Sequence, residues 1–242
     1  PRVVLVLRVL DTPGEADVAE LRAYAAAHGV EFWLQPGGLD TAVPLDPAAS
    51  RGPLRYRLPG AEVTLEFGPL DFVQVNAELN ARMVEYALGW LRPAPTHSVL
   101  DLYCGLGNFT LPIARRAGRV LGVEGEAGLV ARARANAAAN GIANAEFAVA
   151  DLSADLRGEP WAGARFDRVL LDPPRVGARE VLPMVAASGA ERVVYISCHP
   201  GSLARDAGLL VHEHGFRLRA AGVMDMFPHT AHVESIAVFE RT

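Results

Sequence analysis

The chain has 242 residues, of which 50% are hydrophobic and 21% charged, and its formal net charge is -5. This length suits one large domain or one domain with a small appendage, and the composition excludes a disordered chain. Because phosphate contacts need clustered Lys or Arg, the negative charge argues against a self-sufficient nucleic-acid binder.

The first 70 residues predict a small α+β domain. Its predicted elements are a strand at 3–9, an amphipathic helix at 15–28, a strand at 30–34 and a hairpin with strands at 54–58 and 62–67. Gly29 follows the helix in the C′ position, where glycine commonly ends a helix. Alternating residues on either side of Pro59 and Gly60 indicate the hairpin.

Residues 71–95 are interpreted as a connecting helical region. Apolar residues recur at helical spacing over 76–91. Two prolines, Pro93 and Pro95, then interrupt the pattern, which places a domain boundary there.

Residues 96–242 predict an α/β domain built on a mixed sheet. Its seven predicted strands lie at 98–102, 119–123, 145–149, 168–171, 193–196, 216–223 and 235–239. Helical patterns separate most of the first five strands, as parallel neighbours require. The last two strands are joined without a helix and are expected to form an antiparallel pair at one sheet edge. Ligands of such folds bind beyond the carboxyl ends of the parallel strands.

A nucleotide-containing cofactor is predicted after the first two of these strands. Gly105 and Gly107 follow the first strand and let the backbone approach a ligand at the start of a helix. Glu124 ends the second strand, where a carboxylate can accept both hydroxyls of a ribose. The dinucleotide fingerprint needs a third glycine where Thr110 stands, so S-adenosylmethionine, which has no pyrophosphate, is favoured over NAD.

Acidic residues also follow the third and fourth strands. Asp151 is interpreted as an adenine contact, with a helix N-cap as the alternative. Asp172, Pro173, Pro174 and Arg175 occupy the position where nucleic-acid methyltransferases hold the target base. Enzymes that methylate exocyclic amines usually place an aromatic residue at the position of Arg175, so methylation of a base amine is disfavoured. The alternative for Asp172 is a turn residue before a proline.

Cys198 follows the fifth strand at the same sheet edge, between Ser197 and His199. Uracil carbon 5 is too weak a nucleophile to take a methyl group unaided. Addition of a thiolate to carbon 6 makes the ring an enolate with negative charge on carbon 5, so Cys198 is predicted to be the nucleophile. Cys104, inside the glycine loop, is interpreted as a packing residue.

A base must then remove the proton from carbon 5. The segment at 227–234 offers Glu234, His229 and His232 shortly before the last strand. The two histidines could suggest a metal, but no third ligand lies nearby in the sequence, so no metal site is expected.

Five motifs together resemble the bacterial RNA uracil-C5 methyltransferase family. They are DFVQVN (71–76), DLYCGLGNFTLP (101–112), LLDPPR (170–175), SCHPGSLARD (197–206) and FPHTAHVE (227–234). The resemblance implies a Rossmann-like class I S-adenosylmethionine-dependent methyltransferase domain that forms 5-methyluridine in RNA. It implies that six residues bind S-adenosylmethionine: Gln74, Tyr103, Asn108, Glu124, Asp151 and Asp172. Cys198 is then the nucleophile and Glu234 the base.

Within the family, His199 and the phrase GVMDMFPHTAHVES look most like the branch that methylates 23S ribosomal RNA. The tRNA branch is the alternative, and a catalytically silent RNA-binding protein on the same fold is a second one. Full-length members of the ribosomal branch carry an N-terminal β-barrel and a 4Fe-4S cluster held by four cysteines. Two cysteines cannot hold that cluster, so we expect an N-terminally truncated chain. A cytoplasmic monomer without membrane contact is also expected.

Overall fold

The computed structural model describes residues 2–38, 41–49, 51–230 and 232–242. The strands are β1 (Val3–Arg8), β2 (Val30–Gln35), β3 (Val43–Pro44), β4 (Leu54–Leu58), β5 (Val63–Phe67), β6 (Ser98–Leu102), β7 (Arg119–Glu124), β8 (Ala145–Val149), β9 (Arg168–Leu171), β10 (Arg192–Ser197), β11 (Phe216–Met224) and β12 (Glu234–Arg241). The α-helices are α1 (Glu15–His28), α2 (Ala77–Leu91), α3 (Thr110–Ala114), α4 (Ala127–Ala139), α5 (Leu182–Ala187) and α6 (Pro200–His212).

The smaller of two compact units consists of two segments: the residues up to Arg55, and Glu66–Val73. Its strands β1 and β2 pair in parallel, with α1 as the crossover, and β3 adds antiparallel to β2. The expected C′ role of Gly29 is confirmed, because its φ of 66° is left-handed. The helix α1 buries no residue completely, so its expected amphipathic character is weak. The short strand β3 was not predicted.

The expected hairpin is confirmed by the pairing of β4 with β5 as a two-stranded sheet. A turn of 3₁₀ helix at Pro59–Ala61 connects the two strands. Pro59 begins this turn, where its fixed φ and missing N–H are tolerated.

The larger unit comprises Tyr56–Leu65 and Gln74–Thr242 and contains a seven-stranded mixed sheet. The strand order is β11-β12-β10-β9-β6-β7-β8. The five strands from β6 to β10 run parallel, and β12 is antiparallel to both of its neighbours, β10 and β11. The predicted α/β class, the mixed sheet and the antiparallel pair at its edge are therefore confirmed.

The helix α2 belongs to the larger unit and carries a buried apolar stripe. Asn76 caps its first turn, because the Asn76 side chain accepts a hydrogen bond from the backbone N–H of Leu79 at 3.0 Å. The stripe consists of Met83, Val84, Ala87, Leu88 and Leu91. Helical spacing of apolar residues over 76–91 thus predicts the buried face of this helix correctly.

In the described part of the chain, no helix is both long enough and apolar enough to cross a membrane.

Two glycines test the packing of the larger unit. A Cβ added to Gly122, in β7, would lie 2.9 Å from both Cys104 Sγ and Phe147 Cδ1, whereas one added to the exposed Gly89 of α2 would meet nothing within 4 Å. We expect Gly122→Ala to lower the free energy of unfolding by about 1–3 kcal/mol through overpacking. The control Gly89→Ala should raise it by about 0.5–1 kcal/mol, because alanine loses less backbone entropy in a helix. Urea unfolding measures both, and a Gly122→Ala variant as stable as the unaltered chain would contradict this packing.

Candidate active site

The loop after β6 has left-handed backbone at three positions. Tyr103, Gly105 and Gly107 have φ angles of 65°, 53° and 99°. A Cβ on Gly105 would meet no atom within 4 Å, so open space borders the loop there. The conformation costs most at Tyr103, which has a Cβ. A strained loop that borders open space at Gly105 can approach a ligand closely.

Glu124 connects this loop to the end of β7. Its Oε2 accepts a hydrogen bond from the backbone N–H of Gly105, and its Oε1 accepts one from that of Glu126, both at 3.1 Å. Each carboxylate oxygen has a second lone pair. The half-buried Glu124 therefore keeps acceptor capacity toward the open space.

Asp101, the next-to-last residue of β6, is a buried carboxyl below the glycine loop. Thr110 Oγ1 donates to Asp101 Oδ2 at 2.5 Å, and Oδ1 has no hydrogen-bond partner among the described residues. Burial, opposed by the Thr110 hydrogen bond and assisted by the charge of Glu124, raises the pKa of Asp101 to about 7 from an ordinary value of 3.8. This buried environment of Asp101 was not predicted from the sequence.

Asp151 lies exposed after β8. Its Oδ1 accepts hydrogen bonds from the Ser153 backbone N–H at 2.9 Å and from Ser153 Oγ at 2.6 Å. These bonds lower the pKa of Asp151. The alternative of a helix N-cap is wrong, because the bonds close a turn and no described helix begins there.

Gln74 and Asn108 differ in how their side chains are used. Gln74 Oε1 is buried and has no hydrogen-bond partner in the described part of the chain. The Asn108 amide, in contrast, exchanges two hydrogen bonds with Asn80 at 3.0 Å and accepts a third from Tyr56 at 2.9 Å. The Asn108 side chain therefore connects the glycine loop to α2, while its amide nitrogen keeps a second N–H besides the one bonded to Asn80.

The pairing of β10 with β12 brings Cys198 beside Glu234. Ser197, the last residue of β10, lies opposite Ser235, so Cys198 follows directly at the end of β12 that begins with Glu234. The charge of Glu234 acts on the Cys198 thiol, so the two groups are close enough to interact. Glu234 is only 4% exposed. The thiol and the carboxyl, far apart in the sequence, therefore meet at the sheet edge.

Both groups have raised pKa values. Burial is the largest cause of the raised pKa of the half-buried Cys198, followed by the charges of Glu234 and Asp172. Arg175 opposes the rise in this pKa, because a cation favours the thiolate. Burial alone raises the pKa of Glu234.

Asp172 lies at the exit of β9, close enough to Glu234 for their charges to interact. Part of the residue is exposed, but protein atoms enclose its carboxyl. Burial, followed by Glu234 and Asp101, raises the pKa of Asp172 to about 8. Arg175 is exposed, with its Nη1 3.4 Å from Nδ1 of the exposed His232. The residues of the DPPR motif thus lie at the same edge as Cys198.

Other predicted features of this edge have simpler roles. His199 caps α6, because its Nδ1 accepts a hydrogen bond from the Ser202 backbone N–H at 3.1 Å. Cys104 is buried, and burial raises the pKa of its thiol well above the ordinary value, in keeping with a packing role. Ala231 of the FPHTAHVE motif lies outside the described residues. No group of three or more His, Cys, Asp or Glu side chains in the described part of the chain could hold a metal ion.

Asp206 of α6 organises this edge and was not identified from the sequence. It is fully buried, and its Oδ2 accepts from the Ala178 backbone N–H at 2.8 Å and from the Tyr195 hydroxyl at 2.7 Å. Its Oδ1 accepts from Arg205 Nε at 2.8 Å. One carboxylate therefore joins α6, β10 and the loop after β9. Asp206 lies four residues after Ser202 on the buried face of α6, and this spacing does not distinguish it from any other inward-facing residue.

The strand order, the glycine loop and the ligand edge are those of the Rossmann-like class I S-adenosylmethionine-dependent methyltransferases. Within that class, the chain belongs to the tRNA (Uracil-5-)-methyltransferase family, whose sequence model matches residues 56–242.

Curated relatives match almost the whole chain. It is 58% identical over 239 residues to the 23S rRNA (uracil(1939)-C(5))-methyltransferase RlmD of Stenotrophomonas maltophilia (strain K279a). It is 56% identical to the protein of the same name from Xanthomonas euvesicatoria pv. vesicatoria (strain 85-10). Each match covers 99% of this chain and 53% of the relative. The chain thus spans about half the length of the curated relatives it matches.

Solved structures share the fold. The Pyrococcus abyssi tRNA (uracil-54, C5)-methyltransferase, in complex with S-adenosyl-L-homocysteine, matches with a TM-score of 0.73 and 24% identity over 98% of this chain and 55% of that chain. M. jannaschii TYW2, in complex with AdoMet, matches with a TM-score of 0.60 and 17% identity over 88% of this chain and 94% of that chain.

The buried carboxyl of Asp101 predicts a pH-dependent stability. With a folded pKa of about 7 against an ordinary 3.8, the folded state retains a proton that the unfolded state has lost. The contribution of Asp101 to the free energy of unfolding is therefore full below about pH 4 and is lost as pH rises to about 7. A tenfold change in an acid constant corresponds to about 1.4 kcal/mol, so the loss is up to about 4 kcal/mol.

Urea unfolding of Asp101→Asn between these pH values tests this expectation. The difference in stability between the unaltered chain and the variant should fall as pH rises. Asp151→Asn is the control, because this exposed carboxylate has a lowered pKa and should show no such fall. Parallel stability curves for the unaltered chain and Asp101→Asn would refute a neutral Asp101 in the folded state.

Proposed function

We propose that this chain is the catalytic part of an enzyme that methylates carbon 5 of a uracil in 23S ribosomal RNA, forming 5-methyluridine through a covalent bond to Cys198. The observation that carries the proposal is the meeting of the Cys198 thiol and the buried Glu234 carboxyl at the ligand edge of a methyltransferase fold. The names of the relatives that are 56–58% identical support uracil carbon 5 as the target atom and 23S ribosomal RNA as the substrate.

Six residues are proposed to bind S-adenosylmethionine: Gln74, Tyr103, Asn108, Glu124, Asp151 and Asp172. The fit rests on the open space at Gly105, the free acceptor capacity of Glu124 and the unsatisfied buried oxygen of Gln74. An unpaired buried oxygen is costly unless a ligand donates to it. Asn108 is proposed to contribute through its backbone or through the second N–H of its amide, because its side-chain oxygen already accepts two hydrogen bonds. When bound, S-adenosylmethionine supplies the methyl group.

The chain's own residues handle the covalent bond and the proton. The Cys198 thiolate forms a bond to carbon 6, and the electrons of the 5,6 double bond move onto carbon 5 and the adjoining carbonyl. After carbon 5 is methylated, Glu234 accepts its proton. The double bond then re-forms, the bond between sulfur and carbon 6 breaks, and the thiolate leaves. The raised pKa of Glu234 makes its carboxylate a stronger base than an ordinary glutamate.

The domain organisation, the location and the iron-sulfur cluster are also proposals. We propose residues 96–242 as the catalytic domain, 71–95 as the connecting region and 1–70 as a small central domain. A cytoplasmic location is proposed, since ribosomal RNA is made in that compartment of a bacterium, and the protein is proposed to be a monomer. A 4Fe-4S cluster needs four cysteine ligands, whereas this chain has two cysteines, both in the larger unit. The cluster is therefore proposed only for a part of the protein outside this chain.

The RNA class is tested in cells. Mass spectrometry of ribosomal and transfer RNA, with and without the gene, should show loss of one 5-methyluridine from 23S ribosomal RNA. Loss from transfer RNA would instead favour the tRNA alternative, which the name of the Pyrococcus abyssi neighbour suggests. Unchanged modification of both RNAs would favour a catalytically silent RNA-binding protein.

Removal of the Glu124 carboxylate should weaken S-adenosylmethionine binding. A hydrogen bond to a charged group contributes about 1.5–3 kcal/mol, so Glu124→Ala should raise the dissociation constant at least tenfold. Isothermal calorimetry measures the change. Glu126→Ala is the matched control, because this neighbouring side chain is exposed. Equal affinities for the unaltered chain and Glu124→Ala would remove Glu124 from the cofactor site.

The two catalytic roles are separable, because Cys198 acts before methyl transfer and Glu234 after it. Cys198→Ala should abolish methylation and the covalent adduct. Glu234→Gln keeps addition and methyl transfer but removes the proton acceptor, so an RNA adduct resistant to denaturing gels should accumulate. The double variant should form none. A Glu234→Gln variant with normal turnover would assign the base to another group, such as His229, and an adduct without Cys198 would refute the covalent mechanism.

A further inference from the structure

A surface rich in arginine and aromatic side chains lies at the opposite end of β10 from Cys198. Two adjoining cavities of about 620 and 470 Å³ share Trp90 and Arg92. We call it the Arg-aromatic surface, and its residues are Tyr86, Trp90, Arg92, Arg192, Arg217 and Arg219. Neither the sequence motifs nor the proposed mechanism uses any of them.

The positive charge of the Arg-aromatic surface is only partly balanced. Four arginines and one glutamate, Glu240, line the smaller cavity. Glu240 accepts from Arg192 Nη2 at 2.6 Å and from Arg217 Nη2 at 3.1 Å. The guanidinium groups of Arg92 and Arg219 make no ion pair with any residue that the structure describes. Glu240 also interacts electrostatically with Arg219, and Glu85 lines the larger cavity, so the arginines outnumber the carboxylates here although the chain has a net charge of -5.

A β-bulge gathers these cations. Leu218 lies opposite Phe239 and Ala220 opposite Val238, which leaves Arg219 without a partner in the register. Successive side chains of a regular strand point to opposite faces, whereas a bulge redirects them. Arg217, Leu218 and Arg219 therefore all line the same cavity. The bulge also disrupts the regular backbone of this edge strand, which limits pairing with another strand.

The aromatic side chains provide flat apolar surface beside the cations. Tyr86 is 63% exposed on α2. Trp90 is half-buried. Its backbone carbonyl accepts a hydrogen bond from Arg192 Nη1 at 2.7 Å, and this bond holds the Arg192 guanidinium beside Trp90. A cationic groove with aromatic faces is the arrangement by which proteins bind single-stranded nucleic acid, through phosphate contacts and base stacking.

We propose that the Arg-aromatic surface binds a single-stranded segment of the RNA substrate, away from the segment that holds the target uracil. The proposal rests on the proposed function for the identity of the RNA. From Arg192 to Ser197 the strand β10 spans about 17 Å, at about 3.3 Å per residue. One RNA can therefore contact this surface and the active edge only through a segment that crosses this distance. Such a contact would give RNA affinity to a chain whose net charge is negative.

The test is the salt dependence of RNA binding, measured by fluorescence anisotropy of a labelled polyuridine RNA with the 242-residue chain. Each lost phosphate contact reduces the slope of log affinity against log salt by about 0.7 for a single strand. The double variant Arg92→Gln, Arg219→Gln should therefore bind more weakly, with a slope reduced by about 1.4. Tyr86→Ala should lose about fivefold or more in affinity with an unchanged slope, because stacking involves no counterions.

The matched control is Arg8→Gln, Arg157→Gln, which removes two exposed arginines outside this surface. Its slope should equal that of the unaltered chain. An unchanged slope for Arg92→Gln, Arg219→Gln, or an equal loss in the control, would overturn the proposal and leave an acidic protein partner as the occupant to seek. Failure of the unaltered chain to form 5-methyluridine in ribosomal RNA would contradict the proposed function instead, without altering the slopes.

Discussion

The candidate active site depends on the antiparallel pairing of β12 with β10. An antiparallel strand begins where its neighbour ends, so the first residue of β12, Glu234, lies at the exit of β10. A hydrogen bond from Ser235 Oγ to the Ser197 carbonyl oxygen, at 3.1 Å, reinforces the register at that point. Apart from Gln74, which precedes α2, the other candidate residues follow parallel strands and reach the same edge without this inversion. A slip of one residue in the pairing would turn Glu234 to the other face of the sheet.

The second constraint is the exclusion of water around the acidic groups. Burial raises the pKa of Asp101 to about 7 and of Asp172 to about 8, and it also raises the pKa values of Glu234 and Cys198. An unpaired buried charge is costly, so these groups resist ionisation until a cation or a proton acceptor approaches. Arg175 is the exposed cation that counters this effect at the thiol. The ionisation of these acidic groups thus depends on the charge of the ligand that enters the site.

Much of the fold could be predicted from sequence because strand length, glycine position and helical spacing are local properties. All seven strands of the large sheet lie within two residues of their predicted bounds. The features that were missed depend on contacts between distant segments. The buried bonds of Asp206, the pairing of the Asn80 and Asn108 amides and the cluster from Trp90 to Arg219 have no local pattern. Cys198 and Glu234 could be proposed as catalytic residues from the sequence, but only the pairing of β10 with β12 brings them close together.

The link between α2 and the glycine loop is made entirely of uncharged groups. Asn80 and Asn108 exchange amide hydrogen bonds, and burial raises the pKa of Tyr56, so its hydroxyl stays a neutral donor. Mobile ions screen charges but leave such bonds almost unaffected. The Arg-aromatic surface, in contrast, has exposed guanidinium groups. Ionic strength therefore acts selectively on this molecule: concentrated electrolyte weakens the binding of a polyanion to the Arg-aromatic surface, while the amide link between α2 and Asn108 is almost unaffected.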